Sequence, residues 1–172
     1  PLDDQVVHAP TWAPQGDRIV YAGERGLAWI DLDDLQTGRF EGGSVWDTSP
    51  AFSPDGSRIA FMGRVHNRWE LFTMNADGSG IRRLCFDQDH DWCPTVMNDG
   101  RVMFARWEYS DTPHYFTRVV MTMNPDGTNQ RSVYGSNSYW PNSTFYARPL
   151  PGHPSKFVGV ISGHHGVPRM GE

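Results

Sequence analysis

Short runs of apolar and polar residues, each closed by a proline, glycine or aspartate turn, follow one another along the chain. Trp69-Glu-Leu-Phe-Thr-Met74 alternates with the period of two that marks a strand. Arg58-Ile-Ala-Phe-Met62 just before it reads as a second strand. Ser53-Pro-Asp-Gly56 and Asn75-Ala-Asp-Gly78 are turn signals: proline presets φ and glycine accepts the positive φ that follows. The pattern repeats. Ala9-Pro-Thr-Trp-Ala-Pro-Gln-Gly-Asp-Arg-Ile-Val-Tyr21 returns as Ser49-Pro-Ala-Phe-Ser-Pro-Asp-Gly-Ser-Arg-Ile-Ala-Phe61. It returns again, one residue shorter, as Cys93-Pro-Thr-Val-Met-Asn-Asp-Gly-Arg-Val-Met-Phe104. The anchor prolines are Pro10, Pro50, Pro94 and Pro141. A period of about 40–50 residues built from strands and turns predicts an all-β propeller of four-stranded blades.

The blades fall at about 9–40, 49–85, 93–134 and 139–172 within a single partial domain spanning 1–172. Blade one has strands at Thr11–Ala13, Arg18–Ala22, Gly26–Leu32 and Thr37–Phe40. Blade two has Ser49–Phe52, Arg58–Met62, Trp69–Met74 and Ile81–Cys85. Blade three has Pro94–Met97, Arg101–Arg106, Arg118–Met123 and Gln130–Tyr134, with the matching turn at Asn124-Pro-Asp-Gly127. Blade four begins with Tyr139–Tyr146 and Lys156–Ser162 and lacks two strands. Gln5-Val-Val7 reads as the outermost strand of a preceding blade. About three and a half blades are therefore present. An open arc leaves unpaired edges, so the expectation is a longer parent of six or seven blades, roughly 260–310 residues. A closed four-blade ring is the alternative.

Composition narrows the class. The chain has 172 residues, 13% of them aromatic with seven tryptophans, and a mean hydropathy of −0.56. Large side chains packed between sheets fit that combination; disorder does not. The net charge of −5 argues against a nucleic-acid partner. No run of 18 apolar residues exists, so no membrane span is predicted. The chain starts at Pro1 and shows no signal peptide, which reads as a processed or excised piece. Cys85 and Cys93 either pair in one disulfide or stay as thiols. No Cys-x-x-Cys zinc motif and no Cys-x-x-Cys-His haem attachment occurs.

Propeller geometry sorts the loops onto two faces. His8 and His90 fall in blade-to-blade loops, and His66, His114, His164 and His165 in loops between second and third strands. These share one face, while His153 lies on the other. Cys93, Asp89, Asp91, Trp92, Asn137, Tyr139 and Trp140 join the histidine-rich face. Imidazole and thiolate are transition-metal ligands, so Cys93, His90, His114, His164 and His165 form a candidate metal set, zinc foremost. The plain alternative is that polar loops tolerate histidine and that Cys93 is a small packing residue. The loop Trp107–Thr117 is enlarged relative to blade two, and extra length on a regular scaffold carries function. It supplies Tyr109, Asp111 and Tyr115, which with His66, Trp92 and Trp140 make a candidate ligand or partner face. Asp87-Gln-Asp-His-Asp91 is either a calcium-binding run or a solvated one. The Asp-Gly pairs are turn formers. No Gly-x-Ser-x-Gly elbow, phosphate loop or framed carboxylate pair is present, so no catalytic residue is assigned.

The phrases Ser-Pro-Ala-Phe-Ser-Pro-Asp-Gly-Ser-Arg-Ile-Ala-Phe and Leu-Phe-Thr-Met-Asn-Ala-Asp-Gly resemble the TolB-type, WD-like propeller repeat over about residues 9–134. That resemblance implies a scaffold or binding platform in an exported, often periplasmic, protein, with other domains or subunits as partners. Asp91-Trp-Cys-Pro-Thr-Val, Arg106-Trp-Glu-Tyr-Ser-Asp-Thr-Pro-His-Tyr-Phe, Gly135-Ser-Asn-Ser-Tyr-Trp-Pro-Asn-Ser and Ser162-Gly-His-His-Gly-Val-Pro-Arg-Met-Gly-Glu resemble the propeller of hydrazine synthase alpha-subunit-like proteins over about 87–172. That second resemblance implies haem in other domains of the parent and gives Cys93 a part in binding zinc beside it. Three readings follow: a binding module, silent as a catalyst on its own; the non-haem part of a redox enzyme; and a purely structural domain that docks a strand on an open edge.

Overall fold

A computed structural model describes residues 7–87, 90–107, 118–135 and 143–162. The described residues form fourteen strands. Blade one is β1 (His8–Trp12), β2 (Arg18–Gly23), β3 (Gly26–Asp31) and β4 (Thr37–Arg39). Blade two is β5 (Thr48–Phe52), β6 (Arg58–Val65), β7 (Arg68–Asn75) and β8 (Arg82–Arg83). Blade three is β9 (His90–Val96), β10 (Val102–Trp107), β11 (Arg118–Met123) and β12 (Arg131–Tyr134). Each is an antiparallel meander in chain order. Blade four is described as one hairpin, β13 (Ser143–Pro149) and β14 (Phe157–Ser162), which touches blade three through the parallel pair Arg118 and Ser143. The architecture is an all-β partial propeller.

The apolar pattern explains why the blades stack. The middle strand β6 alternates between two neighbours. Ile59 and Phe61 join Val20, Ala22 and Leu27 of blade one, together with Met74. Ala60 and Met62 join Val102, Phe104 and Met123 of blade three, with Leu71, Leu84 and Cys85. The strand β10 repeats the device, because Met103 turns the other way and packs with Val120 and Ala147 toward blade four. A strand covered on both faces loses its polar positions and reads as an apolar run.

Each inner strand carries a β-bulge at one fixed place. Ala9, Ser49, Cys93 and Tyr146 all have positive φ, between 50° and 54°, and each ladder slips register there. The turn after each bulge is also shared: Gly16, Gly56 and Gly100 close the same bond as His153 in blade four. This alignment corrects the fourth anchor. Pro141 lies outside the described residues, and the position matching Pro10, Pro50 and Pro94 is Ala147. A second correction concerns His8 and His90, which open strands β1 and β9 instead of sitting in loops. The ladder to β10 recruits them, since His90 pairs with Trp107 and Asp91 with Arg106. The expected strand at Ile81–Cys85 shortens to Arg82–Arg83.

Candidate functional site

The start of β9 gathers three of the singled-out residues, and strand alternation decides what each meets. His90 and Trp92 share one side and Asp91 takes the other. The His90 ring lies nearly parallel to Trp92 (centroids 5.6 Å) and to its cross-strand neighbour Trp107 (5.5 Å). Trp92 and Trp107 lie 5.7 Å apart, and Phe145 of blade four leans on Trp92 at 6.3 Å. Such packed ring pairs add about 0.5–1.5 kcal/mol beyond area burial.

A backbone bond fixes the histidine. The Trp69 N–H donates to His90 Nδ1 at 3.1 Å. The accepting nitrogen is unprotonated, so the neutral ring carries its proton on Nε2. As arranged, His90 anchors blade three to blade two and offers no free lone pair to a metal.

Cys93 sits in the bulge. Its N–H donates to the Met62 sulfur at 3.3 Å. Burial raises the thiol pKa, against the opposing pull of the Tyr146 backbone and the Arg148 charge. The neutral thiol is therefore the resting form at pH 7. Ala9, Ser49 and Tyr146 occupy the same bulge in the other blades, so the fold itself does not demand a thiol there. Cys85 and Cys93 are both free.

On the other side of β9 lies a buried charge cluster. Arg106 Nε donates to Asp91 Oδ1 at 3.1 Å and Nη2 to Asp91 Oδ2 at 3.4 Å. The same Nη2 reaches Asp87 Oδ2 and, at 2.8 Å, Gln130 Oε1. Burial pushes the Asp91 carboxyl up to about 6, although Arg106 and the Cys85 thiol pull it down. Burial pushes the Cys85 thiol far above its usual range, with the Asp91 charge adding to it. Glu70 pairs with Arg83 at 2.7 Å nearby. Ligand atoms of Cys85, Asp87 and Asp91 come within 4.8 Å of one another. These three do not fit a divalent cation while Arg106 bridges both carboxylates, because a second positive charge would face a fixed one. Asp87 and Asp91 of the candidate calcium run are thus committed to an internal guanidinium.

His66 occupies an exposed two-residue turn between β6 and β7, with φ of 45° followed by 70° at Asn67. That pair of positive φ values is the hairpin turn that matches strand twist. His114, His164, His165, Tyr109, Asp111, Tyr115 and Trp140 lie outside the described residues. The turn aspartates Asp55, Asp77, Asp99 and Asp126 accept backbone N–H bonds two residues on. Trp69, Trp107, Arg106 and Arg148 were not singled out from the sequence. Their signal is the cross-strand register, which the bulge shifts by one residue and a linear pattern does not display.

No family model matches the chain. A Tol-Pal system protein TolB from Anaeromyxobacter dehalogenans is 36% identical over 93 residues, covering 52% of this chain and 21% of that protein. An uncharacterised protein of Agrobacterium fabrum is 26% identical over 130 residues, covering 72% of this chain and 44% of that one. Among solved structures, TolB from Acinetobacter baumannii matches with a TM-score of 0.72 at 15% identity, over 94% of this chain and 39% of that one. The chain thus spans less than half the length of these relatives. The fold is that of a TolB-like β-propeller. Among the described residues, no helix is long and apolar enough to cross a membrane.

Proposed function

We propose that this chain is a binding and scaffold module of a larger exported protein, catalytically silent on its own. Its partner face is the β9 end of blade three, carrying His90, Trp92 and Cys93, with His66 on the neighbouring hairpin. The observation that carries this is the stack of His90, Trp92 and Trp107, which sets broad rigid rings at a blade end. Aromatic anchors of this kind dominate binding energy at protein interfaces. The enlarged loop with Tyr109, Asp111 and Tyr115, and the segment with Trp140, extend the same face on the sequence reading. The TolB relative belongs by name to a multi-protein system, which supports other domains or subunits as partners.

The test is retention of a partner from an extract of the source cells by the immobilised chain. Trp92→Phe and His66→Ser should each lower retention, the former by roughly tenfold, with thermal melting confirming the fold. Equal retention by all forms would reject this face. Turnover of any substrate by the purified chain would reject the binding-module reading itself.

A second reading makes the chain the non-haem part of a hydrazine-synthase-like redox enzyme, with Cys93 as a zinc ligand. It is favoured by the place of Cys93 in an inner strand, half-buried beside the next blade. Zinc titration decides it. Stoichiometric zinc that disappears in Cys93→Ser supports the redox parent; identical behaviour of both forms leaves Cys93 a packing residue.

A further inference from the structure

The inner strands of all four blades converge on a cleft of about 330 Å³. Rigid apolar surfaces come from Pro10, Trp12, Pro50, Phe52, Pro149 and Pro151, interleaved with the polar side chains of Ser53, Thr95 and Asn98. Proline and tryptophan walls lose little conformational entropy when a ligand settles on them. Trp12 keeps 60% of its surface exposed here.

Arg148 is the one charged residue among the lining. Its Nη1 donates to the Ala147 carbonyl at 3.2 Å and to the Pro94 carbonyl at 3.5 Å. Both acceptors are neutral. Among the described residues no carboxylate pairs with it, and its Nε and Nη2 make no hydrogen bond. Cys93, which interacts electrostatically with Arg148, is held as a neutral thiol by burial and supplies no counter-charge at pH 7. Arg148 is an exposed residue at the rim of the cleft, and partial desolvation lowers its pKa. The contrast with Arg106 is direct, since that guanidinium meets two carboxylates and an amide. The free Nε–Nη2 edge is the fork that takes a carboxylate side-on with two parallel bonds.

We infer that this cleft is a binding site for a small carboxylate with a flat apolar body. Arg148 takes the carboxylate, and the Trp12, Phe52 and proline walls take the body. The cleft volume sits at the small end of ligand pockets, which favours a small molecule over a long segment. This site lies beyond the β9 bulge from His90 and is independent of the partner face proposed above.

Phenylacetate is the probe, titrated into the 172-residue chain by calorimetry and tryptophan fluorescence, beside phenylacetamide, which has the same shape without charge. Saturable phenylacetate binding is expected, with phenylacetamide and Arg148→Gln each weaker by roughly tenfold or more. Arg148→Lys should recover part of the loss. Equal binding of acid and amide would overturn the proposal, and that comparison needs no variant to fold. Failure of phenylacetate to saturate would overturn it as well. A peptide ending in a free phenylalanine carboxylate, binding far more tightly than phenylacetate, would overturn the assignment to a small molecule.

Discussion

Asp91 and Arg106 face each other across the β9–β10 ladder, and the guanidinium grips both carboxylate oxygens from within the seam between blades two and three. The Asp91 side chain is 1% exposed and that of Arg106 is 6%. Removing one member of such a pair strands the other charge where water does not reach it. Arg106→Met is therefore expected to cost roughly 3 kcal/mol or more, a drop of several degrees in melting temperature. A double variant with Asp91→Leu should recover part of the loss. Urea unfolding of the single and double variants measures both.

The same pair sets a pH dependence. The Asp91 carboxyl holds its proton to about pH 6 in the folded chain, against a usual value of 3.8. The folded state then binds the extra proton, so the contribution is fully present below about pH 4 and is lost as pH rises through 6. The span corresponds to about 3 kcal/mol. Glu70 and Asp47 shift the same way by burial, so the slope belongs to more than one group. Asp91→Asn should flatten the fall in stability between pH 4 and 6.5. An unchanged slope in thermal melts would place the titration elsewhere.

Two turn glycines separate backbone conformation from crowding. Gly100 has φ of +83° with open space where a Cβ would sit, whereas a Cβ on Gly127, at φ +86°, would lie 2.8 Å from the Leu84 carbonyl oxygen. Gly100→Ala should cost about 1 kcal/mol from φ alone. Gly127→Ala should cost clearly more, because the backbone of blade two must move. Denaturant midpoints give the order, and equal losses would contradict the close approach between blades.

Thiol chemistry follows from burial. Cys85 is fully buried and Cys93 half-buried, and both thiols are pushed up. The native chain should label slowly with a thiol reagent at pH 7, Cys93 first and Cys85 only on unfolding. Mass spectrometry of partly labelled chain reads the order. Rapid labelling of Cys85 would mean that the seam opens on its own.

The repeated turn phrase was enough to foresee blades one to three, because a Pro-x-Gly or Asn-x-Asp-Gly turn is decided by the φ of a few adjacent residues. The fourth blade was misregistered for the same reason. Its bulge carries Tyr146-Ala147 where the others carry a residue followed by proline, so the proline spacing points to Pro141 instead. The candidate site was only partly legible. Trp92 and His90 stand out as residue types, but nothing in their local sequence says that Trp69, 21 positions away, donates to His90 Nδ1.

What the sequence determined by itself was the all-β propeller class, the turn positions and the near-continuous apolar middle strands, all of which rest on interactions within a few residues. The tertiary structure decided which charges are answered. Arg106 is buried against Asp91, Asp87 and Gln130, while Arg148, exposed beside the inner-strand cleft, bonds two backbone carbonyls. Both are arginines in strands. Strand pairing and blade packing between residues 15 to 54 positions apart, with a bulge shifting each register, settle that one guanidinium meets carboxylates and the other backbone carbonyls.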